Sequence, residues 1–241
     1  MKFRIGILVF AFVASSLSLS AQTAEINHVE IGLNQNKSGN YADALRNFSL
    51  EIEKTAANPN PIAYYNRGFA KYNLKDFQGA IQDFNKALEL KPNYFEAFVA
   101  RGQSFSKQDK HPLAIQDYNE AIRLNPLEGT AYFSRGISKN KVENYRAAIT
   151  DFNKSLELVP DYAPTLAARA DSKTKLGDFA GSIEDYNKAI EISPKRTNYL
   201  SGRGYAKIKT ADFKGALVDF TEVLKLSPEK ADDWYYAGLC K

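Results

Sequence analysis

The chain has 241 residues, 44% hydrophobic, 25% charged and 12% aromatic, a composition of folded proteins rather than disordered or low-complexity ones. Its formal charge of +4 includes Lys2 and Arg4, and without them is +2, too small to argue for nucleic acid on charge alone. A single cysteine, Cys240, excludes an intramolecular disulfide framework, and with only His28 and His111 beside it a zinc site of the usual kind is excluded too.

Lys2 and Arg4 precede an apolar run over residues 5–14, and residues 15–21 are small ones with leucines between them. A charged start, a short greasy core and a small-residue exit predict a secretory signal over 1–21, cleaved near residues 20–22. The alternative is an uncleaved anchor, but the run is well short of the roughly 20 residues a spanning helix needs. No cysteine follows the run to carry a lipid. The expected product is exported, periplasmic or secreted, with no membrane span after cleavage.

Beyond this segment the chain repeats itself. Pro92, Pro126, Pro160, Pro194 and Pro228 fall 34 residues apart. Three more series keep the step: Gly68, Gly102, Gly136, Ala170 and Gly204; Ala80, Ala114, Ala148, Ser182 and Ala216; Phe84, Tyr118, Phe152, Tyr186 and Phe220. Gly32, Tyr41, Ala44 and Phe48 match the next unit at a step of 36. The units therefore run about 25–60, 61–94, 95–128, 129–162, 163–196 and 197–230, with a half unit over 231–241 that carries Trp234 and Gly238. Places below are counted from each unit's first residue in the 34-residue frame.

Each unit reads as two helices. Phe77, Ala80, Ile81, Phe84, Ala87 and Leu88 recur at three- and four-residue steps, one face of a helix. Asn40, Asp76, Asn144, Asp178 and Asp212 stand where a side-chain oxygen can cap the second helix, whereas the third unit has Lys110 there, with Pro112 at an early helical position. The periodic prolines end the second helices. A small residue on the first helix admits its partner closely, and the second helix's aromatic fills the space beside it.

A small residue at place 8, alanine at 20, an aromatic at 24 and proline at 32 of a 34-residue unit resemble the tetratricopeptide repeat family, over about residues 25–241. The resemblance implies an all-α fold, a right-handed superhelical solenoid of antiparallel helix pairs, with first helices lining a concave groove and second helices the convex back.

The chain departs from the family at place 7, usually a large apolar residue. It carries Arg67, Arg101, Arg135, Arg169 and Arg203, and 16 residues later Asp83, Asp117, Asp151, Asp185 and Asp219. The first unit has Ile31 and Asn47, so both charges vanish together. Two readings compete, a ladder of ligand-binding arginines and structural ion pairs between helices. The second is preferred, because an arginine facing a packed neighbour needs its partner.

The resemblance puts the groove at places 2, 5, 9, 12 and 13. The second unit then presents Ile62, Tyr65, Phe69 and Tyr72; the third Val99, Gln103 and Lys107; the fourth Phe133, Ile137, Asn140 and Lys141; the fifth Ala167, Asp171 and Lys175; the sixth Tyr205, Ile208 and Lys209. The aromatics suit partner anchors, or packing on the adjacent unit. Lys37, Lys107, Lys141, Lys175 and Lys209 form a row at place 13 that suits an acidic peptide or a C-terminal carboxylate, or else solvated helix ends. The lysine/asparagine clamp of some relatives needs lysine at places 2 or 5, and this chain has none there.

No phosphate loop, serine–histidine–acid set or metal-ligand spacing is present, so neither catalysis nor a cofactor or metal is expected. His111 reads as a surface residue before Pro112, His28 as a packing residue of the first helix, and Asp232–Asp233 as the capping start of a last helix. Trp234, Tyr235, Leu239 and Cys240 give that helix an apolar character without a second helix to cover it, which suggests docking on a partner or a second copy. The expected function is an exported scaffold that grips a peptide or helix of another protein, with no nucleic acid; the competing expectation is a structural component that assembles with itself, a homo-oligomer joined through the C-terminal end.

Overall fold

A computed structural model of the chain describes residues 27–229 and 231–240. The predicted signal over 1–21 lies outside them. Thirteen helices and no strand occur among the described residues: α1 (His28–Lys37), α2 (Tyr41–Lys54), α3 (Pro61–Asn73), α4 (Phe77–Leu90), α5 (Phe95–Lys107), α6 (His111–Leu124), α7 (Gly129–Lys141), α8 (Tyr145–Leu158), α9 (Ala163–Lys175), α10 (Phe179–Ile192), α11 (Thr197–Lys209), α12 (Phe213–Leu226) and α13 (Ala231–Leu239). The helices α4, α6, α8, α10 and α12 each end two residues before the periodic proline, whose predecessor is biased out of the helical conformation. Among the described residues no helix is long and apolar enough to cross a membrane.

Every helix packs on its neighbours in the chain, and each first helix also meets the first helix of the next unit, from α1 to α11. The second helices splay apart, so the stack curves with the first helices inside. The core repeats with the sequence. Phe48, Phe84, Phe152 and Phe220 are fully buried, and a Cβ added at Gly32, Gly68, Gly136 or Gly204 would stand 2.6–2.8 Å from their rings. Glycine there lets the helices approach to ring-contact distance.

Asp76, Asp178 and Asp212 accept the backbone N–H of Gly79, Gly181 and Gly215 at 2.9–3.0 Å, and Asn144 accepts that of Ala147 at 3.4 Å. Asn40 differs from the expectation. Its amide donates to Asp43 Oδ2 at 2.7 Å, so it does not cap α2. His111 differs too: it is buried, whereas at the same place at the start of the other second helices Phe77, Tyr145 and Phe179 are half-buried and Phe213 is exposed.

Candidate binding groove

The place-7 arginines face their own unit's second helix. Nε donates to Oδ2 of the aspartate 16 residues on at 2.8–3.0 Å, and Nη2 to Oδ1 at 2.6–2.7 Å, in all five pairs: Arg67–Asp83, Arg101–Asp117, Arg135–Asp151, Arg169–Asp185 and Arg203–Asp219. The aspartate side chains are at most 5% exposed, so each fork is a two-point bond out of water. The remaining Nη1 reaches back to the previous unit, to Asn85, Asn119, Asn153 and Asn187 at 2.7–2.8 Å, and from Arg67 to Ser49 at 3.4 Å. In three units a ring at place 4 covers the guanidinium: Tyr64, Phe98 and Tyr132 at 5.5–5.6 Å.

Sequence reading missed a third member. Lys71, Lys139, Lys173 and Lys207, one helical turn after the arginine, bring Nζ to 2.7–2.9 Å from the same aspartates. The third unit has Phe105 in that place, and burial raises the Asp117 pKa while Arg101's bonds and charge pull it back down. The first unit replaces the whole set by neutral groups. His28 Nδ1 lies 3.0 Å from Asn47 Oδ1, and Asn47 donates to Gln35 Oε1 at 2.9 Å.

The chain thus holds two lysine series. Those at place 11 are consumed by the buried aspartates. Lys107, Lys141, Lys175 and Lys209 at place 13 are exposed, and among the described residues no carboxylate comes within ion-pair distance of them. Lys209 lies 5.3 Å over the Tyr205 ring.

The aromatics expected on the groove wall prove to be packing residues in good part. Tyr65 lies 5.8 Å from the Phe84 ring and 5.0 Å from that of Tyr94, at the N-cap position of α5, and burial raises its pKa. Phe133 repeats the arrangement with Phe152 and Tyr162 at 6.2 and 5.5 Å. Phe69 meets Tyr41 at 6.3 Å, and Tyr72 meets Phe77 at 5.4 Å. Ile62 is 45% exposed. The second unit's aromatics therefore seal joints between helices rather than stand open as one patch.

The open concavity lies further along. A groove of about 1150 Å³ runs over α7, α9, α11 and α13, and Ile137, Lys141, Lys175, Tyr205 and Lys209 line it together. Lys107 and the second-unit residues do not. Its walls also include Asn140, Asp171, Tyr145, Phe179, Tyr186, Asn198, Ser201, Gly202, Asp232, Asp233 and Tyr236. Asp232 and Asp233 are thus groove residues as well as the acidic first turn of α13. Three lysines, three aspartates and several tyrosines make a mixed-charge, amphipathic trough. Among the described residues no cluster of histidine, cysteine and acid could hold a metal ion.

Models of the tetratricopeptide repeat match residues 61–94, 99–163 and 163–196, more than half of the chain, and the chain belongs to that family. It is similar to human (Homo sapiens) sperm-associated antigen 1, 34% identical over 73 residues that make up 30% of this chain and 8% of that protein. It is also similar to the DnaJ homolog subfamily C member 3 of Bos taurus, 30% identical over 109 residues, 42% of this chain and 21% of that protein. The chain thus spans a small part of the curated relatives it matches. Among solved structures, MamA superposes with a TM-score of 0.64 at 24% identity, covering 68% of this chain and 96% of MamA. YrrB, described as a TPR protein with an unusual peptide-binding site, gives 0.67 at 16% identity, covering 78% and 96%. These likenesses establish the fold, an all-α right-handed solenoid.

Proposed function

We propose that the protein is an exported protein–protein interaction scaffold whose groove over α7, α9, α11 and α13 holds a segment of a partner, drawing it in through the place-13 lysines. One observation carries the reading: Lys141, Lys175 and Lys209 line a single open trough with no carboxylate among the described residues paired to them, while every place-11 lysine is tied down. Unpaired ammonium groups along a concave wall attract acidic side chains, and tyrosine rings beside them supply contact area at low entropic cost. YrrB's described peptide-binding site lends the fold-level support. The export half rests on residues 1–21 alone.

The test is selection from random dodecapeptides displayed on phage, followed by affinity measurement against the Lys141→Ala/Lys175→Ala/Lys209→Ala variant. Selected peptides should be rich in Asp and Glu, weaken at least about tenfold on the triple variant, and weaken with rising salt. Peptides that bind the triple variant equally well contradict the reading.

A second reading rests on α13, where Trp234, Tyr235 and Leu239 are 58%, 64% and 55% exposed. Under it this face joins a second copy. Light scattering that shows a monomer at high concentration, unchanged on deleting residues 231–241, removes it.

A further inference from the structure

Four departures from the repeat fall in the fifth and sixth units and meet at one point of the groove. Place 8 is glycine in the other units, Gly32, Gly68, Gly102, Gly136 and Gly204, but is Ala170 in the fifth. The second-helix aromatic of that unit is Tyr186, where four units use Phe48, Phe84, Phe152 and Phe220. Place 6 of the next unit is Gly202, and a Cβ there would stand 2.3 Å from the Tyr186 hydroxyl, so glycine alone leaves the hydroxyl its room. Place 9 is Asp171, where other units carry Phe69, Gln103, Ile137 and Tyr205. The Tyr186 hydroxyl donates to Asp171 Oδ1, and all but Ala170 line the groove.

Tyr118, the other tyrosine at this place, shows what such a hydroxyl requires for packing alone. Burial pushes its pKa up to about 12 against the pull of two neutral hydroxyls, Ser106 and Ser134. A phenol has one proton to donate, and a serine oxygen satisfies it. The carboxylate at 171 is more than the fold needs. It is also held at some cost, since burial by the groove walls raises its pKa against the downward pull of the Tyr186 bond and the Lys175 charge. Asp171 is nevertheless exposed to the groove, and among the described residues no N–H or O–H reaches its second oxygen. Lys175, one turn on, does not come within ion-pair distance of it. The result is a carboxylate fixed in orientation, crowded on one side and open on the other, the arrangement that favours a charged donor.

Building on the reading of the groove as the holder of a partner segment, we propose that Asp171, positioned by Tyr186 and the gap at Gly202, is a specificity-determining residue that takes a lysine or arginine side chain of that segment. The flanking Lys141, Lys175 and Lys209 take acidic neighbours, so the segment recognised is a base set among acids. A purely acidic segment places a like charge on Asp171 and is discriminated against.

The same random dodecapeptide library, selected separately on the native protein and on Asp171→Asn, decides the matter. The native pool should hold a basic residue flanked by acidic ones, and the Asp171→Asn pool should lose the base while keeping the acids. For one selected peptide, replacing its base by norleucine should weaken native binding about tenfold and Asp171→Asn binding less than twofold. Tyr186→Phe, which keeps the ring, should retain an intermediate preference, a graded effect that loss of packing would not give. Pools with equal basic content overturn the proposal; if those peptides still fail on the triple lysine variant, the groove reading survives. Peptides indifferent to both variants, or no enrichment at all, overturn both.

Discussion

The first unit and the five that follow close the same helix–helix contact with different chemistry. In units two to six a buried aspartate is gripped by a forked arginine and, in four of them, by a lysine. In the first, Ile31, Gln35 and Asn47 stand at those three places, and Asn47 bonds to Gln35 and lies within bonding distance of His28 instead. Both versions pack around a fully buried phenylalanine and a glycine, Phe48 with Gly32 as well as Phe84 with Gly68. The charges are therefore not what makes the hairpin. They add a directional link, and through the arginine's third nitrogen a link to the preceding unit, which stacking apolar faces alone do not supply.

The comparison breaks most sharply if one partner is removed. Arg101→Leu strands Asp117, which has no lysine beside it and whose side chain is 5% exposed, and should lower stability by about 2–4 kcal/mol in chemical unfolding. Adding Asp117→Leu should restore most of that; a double variant as unstable as the two single losses combined shows that the pair is not a unit. In the first unit the converse holds. Asn47→Asp puts an acid where neither an arginine nor a lysine waits and should cost about 1–3 kcal/mol, recovered when Ile31→Arg and Gln35→Lys are added. No recovery in the triple variant would mean the first unit differs in more than these three places. The turns offer a smaller contrast. Gly39 and Gly177 adopt the left-handed conformation before their second helices, and Lys75, Asp109, Glu143 and Ala211 adopt it with φ of 56–66°. Ala211→Gly should raise the unfolding midpoint by the equivalent of about 0.5–1 kcal/mol, because it removes a Cβ clash. Least disruptive is Phe105→Lys, which supplies the third unit's missing cation. Asp117 should then titrate at lower pH by carboxyl-carbon NMR, and an unmoved titration denies the lysine its role.

The helix positions were legible because proline and the small–large pairing repeat with the same period, and each has one structural meaning. The arginine–aspartate series was legible because both members vanish from the first unit together. Lys71 and its counterparts were not singled out, since a lysine one turn from an arginine looks like any solvated helix face until the second helix's aspartate is placed under it. Tyr65 and Phe133 suit a groove wall by spacing, but spacing does not say that Tyr94 and Tyr162, just ahead of α5 and α9, close over them. Tyr186 was hidden inside an aromatic series whose shared property is size. Its hydroxyl acquires meaning only beside Gly202 and Asp171, and the signal was available as coincident departures from the repeat.

The proposed working surface is the inner wall of α7, α9, α11 and α13. An NMR footprint of a library-selected acidic peptide on the isotope-labelled protein tests it directly. Shifts concentrated on Asn140, Lys141, Asp171, Lys175, Tyr205 and Lys209 are the predicted result, and shifts confined to the outer helices α8, α10 and α12 would contradict it.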